Sequence, residues 1–199
     1  MTQDEVRAIL GRYHDLIRQI IDDSWDEWRA VQKLRLDAGL STLLYRRTIS
    51  NYVFDAIARR AIPAFASQPL VNVKVEAQTF KLQFRGLCAR FKKGGVDDLG
   101  RNIPTQAAMA FMDADGLLPG MPPETAKVEF IWQPNDIWTQ IDRVLIVARD
   151  GDDLLWDYPI ERRGGGELFA IPTSTPPSDP SGQDLVKPKT LPGKKPEEV

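Results

Sequence analysis

The sequence predicts an α+β fold: two long N-terminal helices packed on one face of an antiparallel sheet of about five strands, with one short helix and a disordered C-terminal tail. Three observations predict it. Apolar residues recur at three- and four-residue steps through most of residues 1–62, and residues 70–163 carry two hairpin-like units of alternating apolar and polar residues. From Gly164 the chain turns to Pro, Gly and charge. The expected organisation is therefore one domain over 1–163, helical over 1–62 and sheet-forming over 70–163, followed by a Pro/Gly-rich tail over 164–199.

Val6, Ile9, Leu10, Tyr13, Ile17, Ile20, Ile21, Trp28, Val31 and Leu34 form one apolar stripe, predicting a helix over about 4–36. Gly39 suits its C-terminal stop, and Ser41 suits the N-cap of the next helix. That second helix is predicted over about 42–60 on Leu43, Leu44, Ile49, Val53, Phe54 and Ile57, with Arg46, Arg47, Arg59 and Arg60 off the stripe or at its end. Pro63 and Pro69 bracket an expected loop, and Val71 to Val75 a short strand.

Residues Thr79 to Lys93 read as a hairpin joined by the two-residue loop Arg85-Gly86. Direct opposition pairs Phe84 with Leu87, Leu82 with Ala89 and Phe80 with Phe91 on one apolar face. Gln83 with Cys88, Lys81 with Arg90 and Thr79 with Lys92 form a polar, cationic face. A slip of one residue would turn Lys81 and Arg90 into the apolar layer, so the register is strongly specified. The turn demands Gly86 for its positive φ, while Arg85 is a poor first residue for the primed turns, so a type I turn with a glycine bulge competes.

A turn-rich stretch, Gly94 to Asn102, precedes a short helix over Pro104–Met112, whose start can use Pro104 in the first turn or Thr105 as cap. Leu118 to Pro123 forms a rigid loop. Lys127 to Trp132 then alternates, Pro134-Asn135 turns, and Ile137 to Ala148 reads as a long strand. Asp150-Gly151 is a hairpin signal that would set Val147 opposite Leu154, Leu145 opposite Trp156 and Ile141 opposite Ile160.

The chain has 199 residues, of which 42% are hydrophobic and 27% charged. Its net charge of −2 and pI near 5.5 give no overall field for nucleic acid or acidic membrane. No apolar run approaches a membrane span, and the N-terminal residues lack a signal-peptide pattern, so a cytoplasmic, non-membrane protein is expected. Charge is nevertheless segregated: residues 42–101 sum to +7 and residues 102–161 to −8.

His14 is the single histidine, so any triad or His-rich metal site would have to use it. Arg7 and His14 stand at a spacing used by some helical ribonucleases, and also common by chance. Cys88, the single cysteine, reads as a small buried hydrophobe, or as a nucleophile if Lys81 and Arg90 lower its pKa. No acid, acid-x-Lys nuclease order and no phosphate-binding glycine loop before a helix are present, and no cofactor or metal site is expected. The strongest binding candidates are Lys81, Arg85, Arg90, Lys92 and Lys93, joined by Arg101. This cationic face has three readings: contact with nucleic-acid phosphates, an edge-strand defence or a merely solvated face, or docking of an acidic protein partner. Aromatic residues are not interleaved with it, which disfavours a single-strand stacking platform. The five tryptophans fall mostly on apolar stripes, as core residues do. A homodimer through the helices or hairpin edges is a further possible assembly.

Four stretches carry a resemblance: Arg90-Phe91-Lys92-Lys93, Asn102-Ile103-Pro104-Thr105-Gln106-Ala107, Leu118-Pro119-Gly120-Met121-Pro122, and Trp156 near the end of the last strand. With the Pro/Lys-rich acidic tail, they resemble a group of bacterial and prophage proteins encoded beside ImmA/IrrE-type metallopeptidases on mobile elements. The match spans about residues 70–199. This chain departs from it at Gly94-Gly95, where the group tends to carry an aspartate, and at Phe130-Ile131-Trp132, where it often carries Gly-Tyr. The resemblance implies a context and no chemistry. A non-enzymatic interaction protein, with such a metallopeptidase as its possible partner, is the expected function. The chain lacks His-Glu-x-x-His and is not itself that peptidase. The alternative is a toxin-like nuclease or nucleic-acid binder acting through the basic face.

Overall fold

A computed structural model describes residues 1–43, 45–101 and 105–162, and it is α+β. Helix α1 (Gln3–Leu10) passes through a single 3₁₀ turn, Gly11–Tyr13, into α2 (His14–Asp37), and α3 (Arg46–Ala66) packs against α2. The strands are β1 (Asn72–Glu76), β2 (Thr79–Phe84), β3 (Leu87–Lys93), β4 (Ala126–Pro134), β5 (Ile141–Asp150) and β6 (Asp153–Pro159), with α4 (Gln106–Met112) between β3 and β4. All six lie in one sheet in sequence order. The expected tail over 164–199, including any docking of Leu168 to Ile171, lies outside the described residues, as do Asn102, Ile103 and Pro104. Among the described residues no helix is long and apolar enough to cross a membrane.

Local chemistry sets the helix ends. At the start of α1 the Thr2 hydroxyl accepts from the Glu5 amide at 3.3 Å while Glu5 Oε2 accepts from the Thr2 amide at 2.6 Å, a capping box. Gly39, at φ +73°, ends α2 in a Schellman motif: its amide donates to Leu36 O and the Leu40 amide to Arg35 O. The single helix expected over 4–36 is broken at Gly11, yet Val6, Leu10, Tyr13, Ile17, Ile20 and Ile21 remain buried along one stripe. The tighter turn changes the winding locally and keeps the apolar face. Helix α3 begins later than expected and runs through Pro63, where the sequence predicts the start of a loop. Phe65 explains the extension. It is fully buried, with ring centroids 5.9 Å from Tyr13 and 6.2 Å from Phe84, and this burial outweighs one lost helical hydrogen bond near the terminus.

The hairpin β2–β3 has the register read from sequence, with Leu82 opposite Ala89, Gln83 opposite Cys88 and Phe84 opposite Leu87. The sheet as a whole corrects the expectation. It has six strands and is mixed, because β3 and β4 are parallel, with Arg90 level with Glu129 and Phe91 with Phe130. A parallel pair needs a long crossover, and the segment from Gly94 to Thr125 carrying α4 supplies it. Both strands are then covered on both sides, the usual condition of parallel strands. Phe80, Leu82, Phe84, Ala89, Phe91, Val128, Phe130 and Trp132 face the helices; on the other side Cys88 meets Phe111 and Leu118, while Ile131, Leu145 and Val147 meet Leu99.

The last hairpin is also corrected. Strand β5 begins at Ile141, and Gly151, at φ +58°, is the first residue of the turn, with Asp150 opposite Asp153. With a bulge at Ala148/Arg149, Val147 pairs with Asp157, Ala148 with Trp156 and Leu145 with Pro159. A glycine in the first loop position matches a type II′ turn, which moves the loop one residue along from Asp150-Gly151.

Glu27 clips α3 to α2. Its Oε1 accepts from Tyr52 Oη and Arg59 Nη2, each at 2.7 Å, and its Oε2 lies 2.7 Å from Arg60 Nη1. These donors, Arg59 first, hold its pKa down to about 2. A depressed carboxylate contributes stability above its ordinary range and loses that contribution as pH falls through the folded value. Glu27→Gln should therefore lower Tm at pH 6 and flatten the fall in Tm between pH 5 and 2, followed by thermal denaturation across that range.

Candidate functional site

Because β3 and β4 run the same way, both end at one edge of the sheet, and the loops that leave them gather there. They form an open cleft of about 1220 Å³. One wall is the first turns of α3, with Arg46, Arg47, Ser50 and Asn51; another is the loop Gly94–Val96 with Arg101; a third is the β4–β5 loop with Asn135, Asp136 and Trp138. The β1–β2 turn and Thr105 to Ala108 complete the rim, and Lys81, Arg90, Lys92 and Lys93 line it from the sheet. Eight Lys/Arg side chains face three carboxylates, those of Glu76, Asp136 and Asp142.

The sequence candidates divide sharply. Lys81, Arg90, Lys92, Lys93 and Arg101 all line the cleft. Arg85 does not: it is exposed on the β2–β3 turn, roughly 13–17 Å along the strands from Lys81 and Arg90 at the rise of an extended strand. The cationic face does not guard a sheet edge, since β2 and β3 are interior strands. Lys81 is buried and pairs with Glu76 at 3.0 Å. Arg90 is buried beneath Phe111, its guanidinium 4.0 Å from the ring centroid. It donates from Nε and Nη2 to Glu129 Oε1 at 3.0 and 2.6 Å. Glu129 has no exposed surface. Its Oε2 accepts from the Gly100 amide at 3.1 Å and lies 3.7 Å from Arg149 Nη1, which donates to Gly100 O at 3.0 Å. The carboxylate thus holds the C-terminal stem of the cleft loop against three strands. Gly100 is required there, because a Cβ would stand 2.5 Å from Glu129 Oε2.

Four cleft cations have no carboxylate within ion-pair distance among the described residues: Arg46, Arg47, Lys92 and Lys93. Arg46 donates to Asp136 O at 3.1 Å and lies 5.6 Å from the Trp138 ring centroid. Lys93 lies 5.3 Å from the same ring and donates to Gly94 O at 3.1 Å. Burial, then Arg101 and Arg46, push the Lys93 pKa down; burial, then Arg90, push that of Lys92 to about 8. Backbone strain collects around the same cleft. The three non-glycine residues with left-handed φ among those described are Gln78, Asp98 and Trp138, two on the cleft lining and one in its loop. Trp138, at φ +59°, is held by an Asn135-centred loop in which Asn135 Oδ1 accepts from the Thr139 amide at 2.8 Å. None of Arg46, Arg47 or Trp138 was singled out as a site residue from sequence. A basic pair at the start of a helix, where the dipole disfavours it, was the available signal.

The residues of the resemblance are only partly gathered. Thr105 caps α4, its Oγ1 accepting from the Ala108 amide at 3.2 Å, and it lines the cleft. Gln106 is exposed on the first turn, and Pro104 lies outside the described residues. Leu118 packs on Cys88, Pro119 O accepts from Lys74 at 3.5 Å, and Gly120 turns at φ +79°. Trp156 stacks on Tyr158 on β6, away from the cleft lining.

The remaining chemical candidates have structural settings. His14 Nε2 is 3.2 Å from Tyr158 Oη, and Arg7 sits 4.4 Å from the same ring, so the Arg-His pair is packed on a buried tyrosine. Burial lowers the His14 pKa and raises that of Tyr158 to about 12. Cys88 is fully buried, and burial pushes its thiol up to about 11 despite Lys81 and Arg90. Among the described residues no group of three or more His, Cys, Asp or Glu side chains is placed to hold a metal ion.

Two outcomes follow. Glu129→Gln should cost about 3–5 kcal/mol in urea denaturation, because it leaves Arg90 buried without its counter-charge. Native Cys88 should resist an aromatic disulfide reagent at pH 8 and react at once when the chain is unfolded.

Compared with protein-family models, with curated proteins and with solved structures, the chain finds no match, so its function is argued from the chemistry of this cleft.

Proposed function

We propose that this chain is a non-enzymatic interaction protein that docks an acidic segment of a protein partner in its cationic cleft. The observation that supports it is the set of four cations, Arg46, Arg47, Lys92 and Lys93, converging on one concavity without carboxylate partners among the described residues. Charges gathered in this way repel one another in the free protein and favour an anionic occupant.

Size and lining favour a protein segment. The cleft, at about 1220 Å³, is larger than the roughly 300–1,000 Å³ usual for small-molecule sites. Its rim presents exposed Val96, and Ile137 and Tyr45, next in the chain to lining residues, are exposed as well, apolar surface that suits a protein and adds nothing for a phosphate backbone. Nucleic acid is the weaker reading. Trp138 already carries Arg46, Lys93 and Trp25 around its ring, which leaves it poorly available for base stacking.

The resemblance described above supplies a specific partner, an ImmA/IrrE-type metallopeptidase of a mobile element, and a cytoplasmic setting. Co-expression with such a peptidase from the same source should give a complex that survives purification at about 50 mM salt and weakens steeply by about 200 mM. Arg46→Glu/Lys93→Glu should abolish it, while Arg85→Glu, outside the cleft, should leave it intact. No association of the wild-type chain at low salt would remove this partner. Salt-sensitive retention on single-stranded DNA, lost in the same double variant, would transfer the cleft to nucleic acid.

A further inference from the structure

We propose that Lys92 anchors one carboxylate of the docked segment, and that this carboxylate supplies the counter-charge missing from a buried ionic cluster. This rests on the reading of the cleft as a dock for an acidic protein and names the contact at its floor. The cluster spans three strands on the side of the sheet away from the main helices. Arg90 of β3 and Arg149 of β5 share Glu129 of β4, and Arg149 Nη2 reaches Asp152 at 3.0 Å as well. Lys92 lies two residues along β3 from Arg90, on the same face, and adds a third cation to that neighbourhood. Among the described residues it has no carboxylate within ion-pair distance.

The other sheet-borne cations of the cleft are already engaged. Glu76 takes Lys81, Glu129 takes Arg90, Asp98 takes Arg143, and Lys93 has the Gly94 carbonyl and the Trp138 ring. Lys92 alone combines partial burial, a place on the cleft lining and no such partner among the described residues. Its stem is fixed, since its Cβ lies 2.8 Å from where a Cβ on Gly100 would stand, under the loop held by Glu129. The charges acting on it are Arg90 from its own strand and Glu129 from β4, the first opposing and the second favouring its ammonium form. An ammonium withdrawn from water without a carboxylate at ion-pair distance destabilises the free protein, and an incoming carboxylate relieves that cost. The arrangement trades stability for binding.

The test uses the full-length chain, hexaglutamate peptide as probe and hexathymidylate as the nucleic-acid comparison, by titration calorimetry at low salt. Wild type should bind hexaglutamate, Lys92→Met should lose about tenfold in affinity, and the same variant should melt a few degrees higher, about 2–4 °C. Arg85→Ala should match wild type in both measurements. Unchanged hexaglutamate binding by Lys92→Met, with loss on Lys93→Glu, would overturn the anchor and leave the docking function standing. A lower melting temperature for Lys92→Met would also overturn it, because the free ammonium would then be stabilising. Failure of wild type to bind hexaglutamate, with or without hexathymidylate binding, would remove the docking function and the anchor together.

Discussion

The buried carboxylate of Glu129 is the constraint on which the rest of the structure depends. It takes Arg90 from one neighbouring strand, approaches Arg149 of the other and holds the Gly100 amide of the crossover. Such a cluster is a poor source of net stability, since desolvating the charges costs about as much as their attraction returns. Its effect is on geometry. A one-residue slip of β4 against β3 would turn Glu129 toward Phe91 and the helices, move Phe130 out of the apolar layer, and strip Arg90 of its partner. The ionic side of the sheet and the apolar side therefore enforce the same register.

That register creates the cleft. Parallel β3 and β4 end together, so the Gly94–Arg101 loop, the β4–β5 loop and the β1–β2 turn meet at one edge beside the start of α3. Three left-handed non-glycine residues and four cations without carboxylate partners among the described residues are concentrated around it. Both features disfavour the isolated fold, and strain of about 1–3 kcal/mol per residue persists only where the surroundings hold it. The core meets that cost. Phe54, Phe80, Phe91 and Phe130 form one chain of ring contacts beneath the helices, and Phe84 with Phe65 and Tyr13 forms another group.

Local patterns were legible where one residue choice had one physical outcome. The β2–β3 register follows from a face that is wholly apolar, and Gly39 and Gly86 occupy the positive φ that their places demand. Pro63 misled because propensity speaks for a break, whereas the burial of Phe65 carries α3 past it. The β5–β6 register misled because Asp150-Gly151 and Gly151-Asp152 are both acceptable turns, and a bulge adds one more residue. Among site residues, five of the six cationic candidates reached the cleft: Lys81, Arg90 and Lys92 share one strand face, Lys93 ends β3 at the cleft, and Arg101 comes from the neighbouring loop. Arg46, Arg47 and Trp138 were missed because they join the site from other elements.

The sequence by itself determined the α+β class, the helix stripes, the central hairpin and the cationic character of its second face, because each depends on neighbours within a few residues. Tertiary structure alone decided that β3 and β4 run parallel, since that depends on where the Gly94–Thr125 crossover packs. It also decided the state of each cation. On one strand, Arg90 is buried against a carboxylate from thirty-nine residues away, while Lys92 faces the cleft without one among the described residues. Identical charges in sequence became a structural tie and a binding candidate because pairing at long range is set by the packing of the sheet.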